Sequence, residues 1–134
     1  MNTKFKNSLI IKDIESINDT HYIIRFDFDN YIKFYISPEK NCCENFGINF
    51  MYNKSSVFLK SLPLIGAKLN GIKICDKYHI GKHSDNSLQK EIILFTSIGL
   101  LFVNIYNDHN GYYYHDLEID IYTPERKTTI YDRI

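Results

Sequence analysis

The stretch Tyr22 to Phe28 alternates in character, with Tyr22, Ile24, Phe26 and Phe28 on one side and Arg25 and Asp27 on the other. A period of two marks a strand with one buried face. Asp29-Asn30 supplies a two-residue turn, after which Ile32, Phe34 and Ile36 alternate with Lys33 and Tyr35. These two runs predict a β-hairpin that ends at Ser37-Pro38, because proline has no N–H for the ladder. A second hairpin is predicted from Glu91 to Tyr106 around Ile98-Gly99. Its nearly continuous apolar residues imply strands buried on both faces. After the turn cluster Asn107 to Gly111, the run Tyr112 to Tyr122 points Leu117, Ile119 and Ile121 inward and Glu118 and Asp120 outward. Lys127 to Tyr131 adds a short edge strand.

Ile10 to Ile17 fits either period, and it is assigned as a strand whose mate is Leu69 to Cys75. Ser56 to Leu62 is assigned as a short helix, capped by Ser55 or Ser56 and stopped by Pro63. Gly81 to Gln89 reads as a polar loop. The two halves echo each other: each runs isoleucine-rich strand, polar loop, hairpin, special turn. The expected architecture is therefore mainly β, a single domain over residues 1–134. It is an antiparallel sheet, small sandwich or open barrel, built from two three-stranded units and one short helix.

Composition narrows the classes. The chain has 134 residues with 16 basic and 16 acidic side chains, so the basic excess of a general nucleic-acid binder is missing. Stacking on tyrosines keeps a single-stranded nucleic acid open as a lesser partner. No apolar run approaches the ~20 residues of a membrane helix, and Leu9-Ile10-Ile11 is too short for a signal-peptide core. The expected location is the cytoplasm where the chain is made. Cys42, Cys43 and Cys75 are too few for a disulfide framework, which points to a reducing compartment. Heavy use of Ile, Asn, Lys and Tyr, with alanine only at position 67, indicates a low-GC genome.

The ordered elements Cys42-Cys43-Glu44, Leu64-Ile65-Gly66, Phe95-Thr96-x-x-Gly99 and Asn110-Gly111-Tyr112-Tyr113 resemble a family of small uncharacterised phage and large-DNA-virus proteins. The likeness covers residues 9 to 121. It departs at Phe46, where that family often carries tryptophan, and in the longer stretch from Asp76 to Lys90. The resemblance implies a viral origin, hence the cytoplasm of an infected host cell, and a β-rich fold, but no reaction.

Candidate chemistry is sparse. Cys42 and Cys43 with His109 form the one grouping that resembles a metal or thiol site, and its ligand spacing matches no known pattern. The plainer reading, one cysteine packed inward and one at a turn, is favoured. Glu44 with His109 or His115 is the only acid–base grouping, and none of the phosphate-loop, nucleophile-elbow, zincin or dinucleotide motifs occurs. The segment Asp108 to Asp116 is the most distinctive, offering His109, Asn110, Tyr112, Tyr114 and His115 as ligand- or partner-binding side chains. Its plainer reading is a hairpin connection. With 11 Tyr and 9 Phe, some rings must reach the surface, where they favour contact with a protein. The expected function is thus a small viral accessory protein, non-enzymatic and without cofactor, that binds a host or viral protein or a second copy of itself. The alternatives are a protein that sequesters a small nucleotide or signalling molecule and, less favoured, a thiol or metal enzyme.

Overall fold

The structure, a computed structural model, describes residues 2–39, 45–80, 86–109 and 115–134. Ten strands dominate it: β1 Asn2–Asn18, β2 His21–Phe26, β3 Tyr31–Ile36, β4 Asn45–Tyr52, β5 Ser55–Val57, β6 Lys68–Ile80, β7 Asn86–Thr96, β8 Gly99–His109, β9 Asp116–Tyr122 and β10 Lys127–Arg133. They form one open sheet in the order β10-β9-β3-β2-β1-β6-β7-β8-β4-β5. Every neighbouring pair is antiparallel.

β1 is the hinge of this sheet. Its first part, Asn2 to Ile10, pairs with β6, and Ile11 to Asn18 pair with β2. The expected mate of the Ile10–Ile17 stretch therefore belongs mainly to the residues just before it. Register breaks on either side of Leu9–Ile11 bend the strand. The sheet folds back so that strands far apart in the order meet. Tyr22 on β2 packs edge-to-face on Phe50 of β4 at 4.8 Å. Lys90 on β7 reaches Asp132 on β10 at 3.0 Å. The core between the two layers holds Ile24, Phe34, Leu117 and Ile119 from one side and Leu69, Ile92, Leu101 and Ile105 from the other, all fully buried.

The neighbouring strands β1 and β6 approach closely at Gly71, where an added Cβ would lie 2.8 Å from the Thr3 carbonyl oxygen. That atom is backbone and cannot swing away. Gly71→Ala is expected to lower stability by about 1–3 kcal/mol, read from the urea midpoint. An unchanged midpoint would mean that β1 and β6 separate freely at this point.

The two three-stranded units are present as β3-β2-β1 and β6-β7-β8, lying side by side. The hairpin after each unit crosses over to the other. The β4–β5 hairpin comes after β3 in sequence but pairs with β8, and β9–β10 comes after β8 but pairs with β3. The halves thus exchange hairpins.

Several local expectations are corrected. Phe28 is 89% exposed, because Asp27 continues the ladder to β1: its N–H donates to the Ile10 carbonyl at 3.2 Å and its Oδ1 accepts from Ile10 N at 3.4 Å. The turn then centres on Phe28-Asp29, both at positive φ of 57° and 58°, with Asn30 buried and its Nδ2 donating to the Asp27 carbonyl at 2.9 Å. β7 and β8 are buried on one face only. Leu101, Val103 and Ile105 are inside, while Phe102, Asn104 and Tyr106 are partly open. The expected helix shrinks to one 3-10 turn, Leu59–Ser61, with no side-chain cap, because Ser55–Val57 is taken by β5. Asn86 to Gln89 belong to β7 rather than to a loop.

Candidate functional site

Three features of this frame present chemistry. The first is where the crossovers meet. His115, just before β9, is 2% exposed and stacks on Phe46 of β4 with ring centroids 3.8 Å apart. Its Nδ1 lies 2.7 Å from the Ser37 carbonyl oxygen, and a carbonyl only accepts, so Nδ1 carries the proton. Its backbone exchanges two bonds with Ile134, whose carbonyl also accepts from Asn107 Nδ2 at 2.9 Å. Asp116 N donates to Ser37 Oγ at 3.0 Å. The start of one crossover is thereby bonded to the end of the other.

The second is a cleft of about 470 Å³ between the β1–β2 turn and the exchanged β4–β5 hairpin. Ser16, Asp19 and Tyr22 line one wall; Phe46, Gly47, Asn49, Tyr106 and Lys60 line the other. Burial raises the Tyr22 phenol above its ordinary pKa, with the nearby Asp19 carboxylate acting in the same direction. Tyr22 therefore stays neutral and can offer its hydroxyl as a donor in the cleft. Nearby, His21 sits edge-on to Tyr35 at 5.3 Å, and burial followed by Lys33 lowers its pKa.

The third is a rim of three turns, each tied by backbone hydrogen bonds to the middle of β1 or to the start of β6. The Asp27–Asn30 turn bonds to Ile10, and the Leu64–Ala67 turn bonds to Ile11 on both sides, at 2.8 Å each. The β7–β8 turn bonds to Lys68 through Ser97 N, and Ser97 Oγ accepts from Lys68 N at 2.9 Å. Projecting from these turns are Phe28, 89% exposed, Ile65, 59% exposed, and Leu100. Two of the sequence elements acquire a physical account here. In the Thr96-x-x-Gly99 turn, Thr96 Oγ1 donates to the Gly99 carbonyl at 2.7 Å and accepts from Ile98 N at 3.3 Å. In Leu64-Ile65-Gly66, Leu64 is buried and Gly66 adopts φ +88°, while Ile65 between them faces solvent.

Of the residues singled out from sequence, Asn110, Tyr112, Tyr114, Cys42, Cys43 and Glu44 lie outside the described residues. His109 closes β8 opposite Asn86, and its side chain lies outside them too. His115, expected at a binding surface, is instead spent on Ser37 and Phe46 inside the protein. Among the described residues no three His, Cys, Asp or Glu side chains are grouped to hold a metal, and no helix is long and apolar enough to cross a membrane. Sequence reasoning missed β4 and with it the cleft. The alternation of Phe46, Ile48, Phe50 and Tyr52 was the available signal.

A family described as a domain of unknown function matches residues 7–119. No curated protein and no solved structure matches the chain.

Proposed function

The chain belongs to this family, DUF7448, and we propose that it is a non-enzymatic protein-binding module, a small accessory protein of a phage or large DNA virus. The contact surface is the rim bearing Phe28 and Ile65. One observation carries the reading: a phenylalanine 89% exposed at φ +57°. A left-handed conformation costs an ordinary residue about 1–2 kcal/mol, and a phenylalanine there gains no burial in return. Strain held by an exposed aromatic ring is explained by what the ring touches in a complex. Viral origin is supported by the heavy use of Ile, Asn, Lys and Tyr, residues with A/T-rich codons, and by the order of sequence elements. The test is affinity capture of the host or viral partner from producing cells with the wild-type and Phe28→Asn chains. Capture by the first and its loss with the second is expected; equal capture by both rejects the rim as the contact.

The cleft supports a second reading, a small ligand such as a nucleotide held between Tyr22 and Tyr106. Its volume is in the range of small-molecule sites. A Cβ on Gly47 would lie 3.3 Å from Tyr106 Oη, so Gly47→Leu fills the space. Native mass spectrometry of protein from its natural source is expected to show an added small mass that Gly47→Leu removes. A bare chain in the wild type removes this reading.

A further inference from the structure

We propose that β10 is the edge through which two copies of this chain join, strand against antiparallel strand, about a two-fold axis at Thr129. β10 ends the sheet order, and among the described residues no strand pairs on its outer side. The direction of its free backbone groups is set by its inner ladder. Ile134 exchanges both bonds with His115, and Arg126 exchanges both with Thr123. The even-numbered residues therefore turn their N–H and C=O groups toward β9. Lys127, Thr129, Tyr131 and Arg133 turn theirs outward, and their side chains are exposed as well.

Edge strands that stay single are usually short, bulged or interrupted by proline. β5, at the opposite end, is three residues long and fits that description. β10 is seven residues long, free of proline, and keeps one register with β9 from Lys127 to Arg133. It is a template for another strand.

The sequence of this edge selects a second copy of itself. A two-fold axis perpendicular to the sheet keeps its faces, so residues meet partners of the same parity. With the axis at Thr129, Lys127 lies opposite Tyr131 on the outer face, while Arg126 lies opposite Asp132 on the inner face. Each pairing occurs twice. Lys127 already sits 5.0 Å from the centre of the Tyr122 ring, next to the position where the Tyr131 ring of the second copy arrives. Moving the axis to Ile130 sets Lys127 against Arg133, two like charges. Moving it to Thr128 removes every charge pair. Only the Thr129 register is complementary throughout.

Sedimentation of the full chain over a micromolar concentration series tests this. The wild type is expected to reach twice its 15.9 kDa mass. Thr129→Pro removes an outward N–H and no bond to β9, so it is expected to give a folded monomer with an unchanged β circular-dichroism spectrum. Tyr131→Arg, which sets an arginine against Lys127 of the second copy, is expected to weaken the dimer about tenfold or more, and adding Lys127→Glu to restore it. A wild type that stays monomeric throughout overturns the proposal. So does a dimer that survives Thr129→Pro. Should that variant not fold, the charge series decides, and failure of the double variant to recover dimerisation overturns the proposal equally.

Discussion

Phe34→Ala is expected to lower unfolding free energy by about 3–5 kcal/mol. Phe34 is 0% exposed at the middle of β3, the strand between β2 and the exchanged β9, with Tyr22 and Ile119 as its register partners. Its removal leaves a cavity where the strand is paired on each side, so neither neighbour can collapse into it. Against a total near 5–15 kcal/mol for a domain, the loss corresponds to a fall in Tm on the order of 10–20 °C. Phe58→Ala is the control, since Phe58 is 86% exposed and should move stability by less than about 0.5 kcal/mol. Urea unfolding of both variants reads the difference. A Phe34→Ala loss below about 1.5 kcal/mol would show that the core is loosely packed.

Phe28→Asn should separate binding from stability in opposite directions. Asparagine tolerates the left-handed conformation through local hydrogen bonding and is favoured at the first centre of a tight hairpin turn. Position 28, at φ +57°, should therefore accept it with unchanged or slightly higher Tm. Partner affinity should fall roughly 30-fold, the equivalent of an anchor residue worth about 2 kcal/mol. Loss of stability together with loss of binding would assign Phe28 to the fold instead of the partner.

The sequence was most readable where one face of a strand is buried and the other wet. In β9, Leu117, Ile119 and Ile121 are all within 2% of full burial, as their alternation with Glu118 and Asp120 requires. Lys33 opposite Asp120 and beside Glu118 completes that wet face. The Glu118 hydrogen bond holds the Lys33 ammonium above its ordinary pKa despite burial. Phe28 misled because alternation says nothing about where a ladder stops; the Asp27–Ile10 contact decides that, and its partners are remote in sequence. β4 was hidden by Asn45, Gly47 and Asn49, residues that weaken strand propensity even though the apolar positions between them alternate. The exchange of hairpins had no local signal, since pairing partners such as Phe50 and Val103 are chosen by burial across the whole molecule. As for the site, the threonine–glycine and leucine–glycine elements were visible as patterns, yet their content is turn chemistry, with Ile65 the exposed exception.

The crossed hairpins impose an order on synthesis. A ribosome releases β4 and β5 long before β8, the strand they must join, and β3 waits for β9 across the five strands between them. Neither half can complete itself on the way, and each long loop must close before its pairing is rewarded. The nascent chain therefore carries open strand edges until those partners emerge, the condition in which aggregation competes with folding. Its two halves, expressed as separate fragments, should each remain unfolded and reach the native sheet only when mixed.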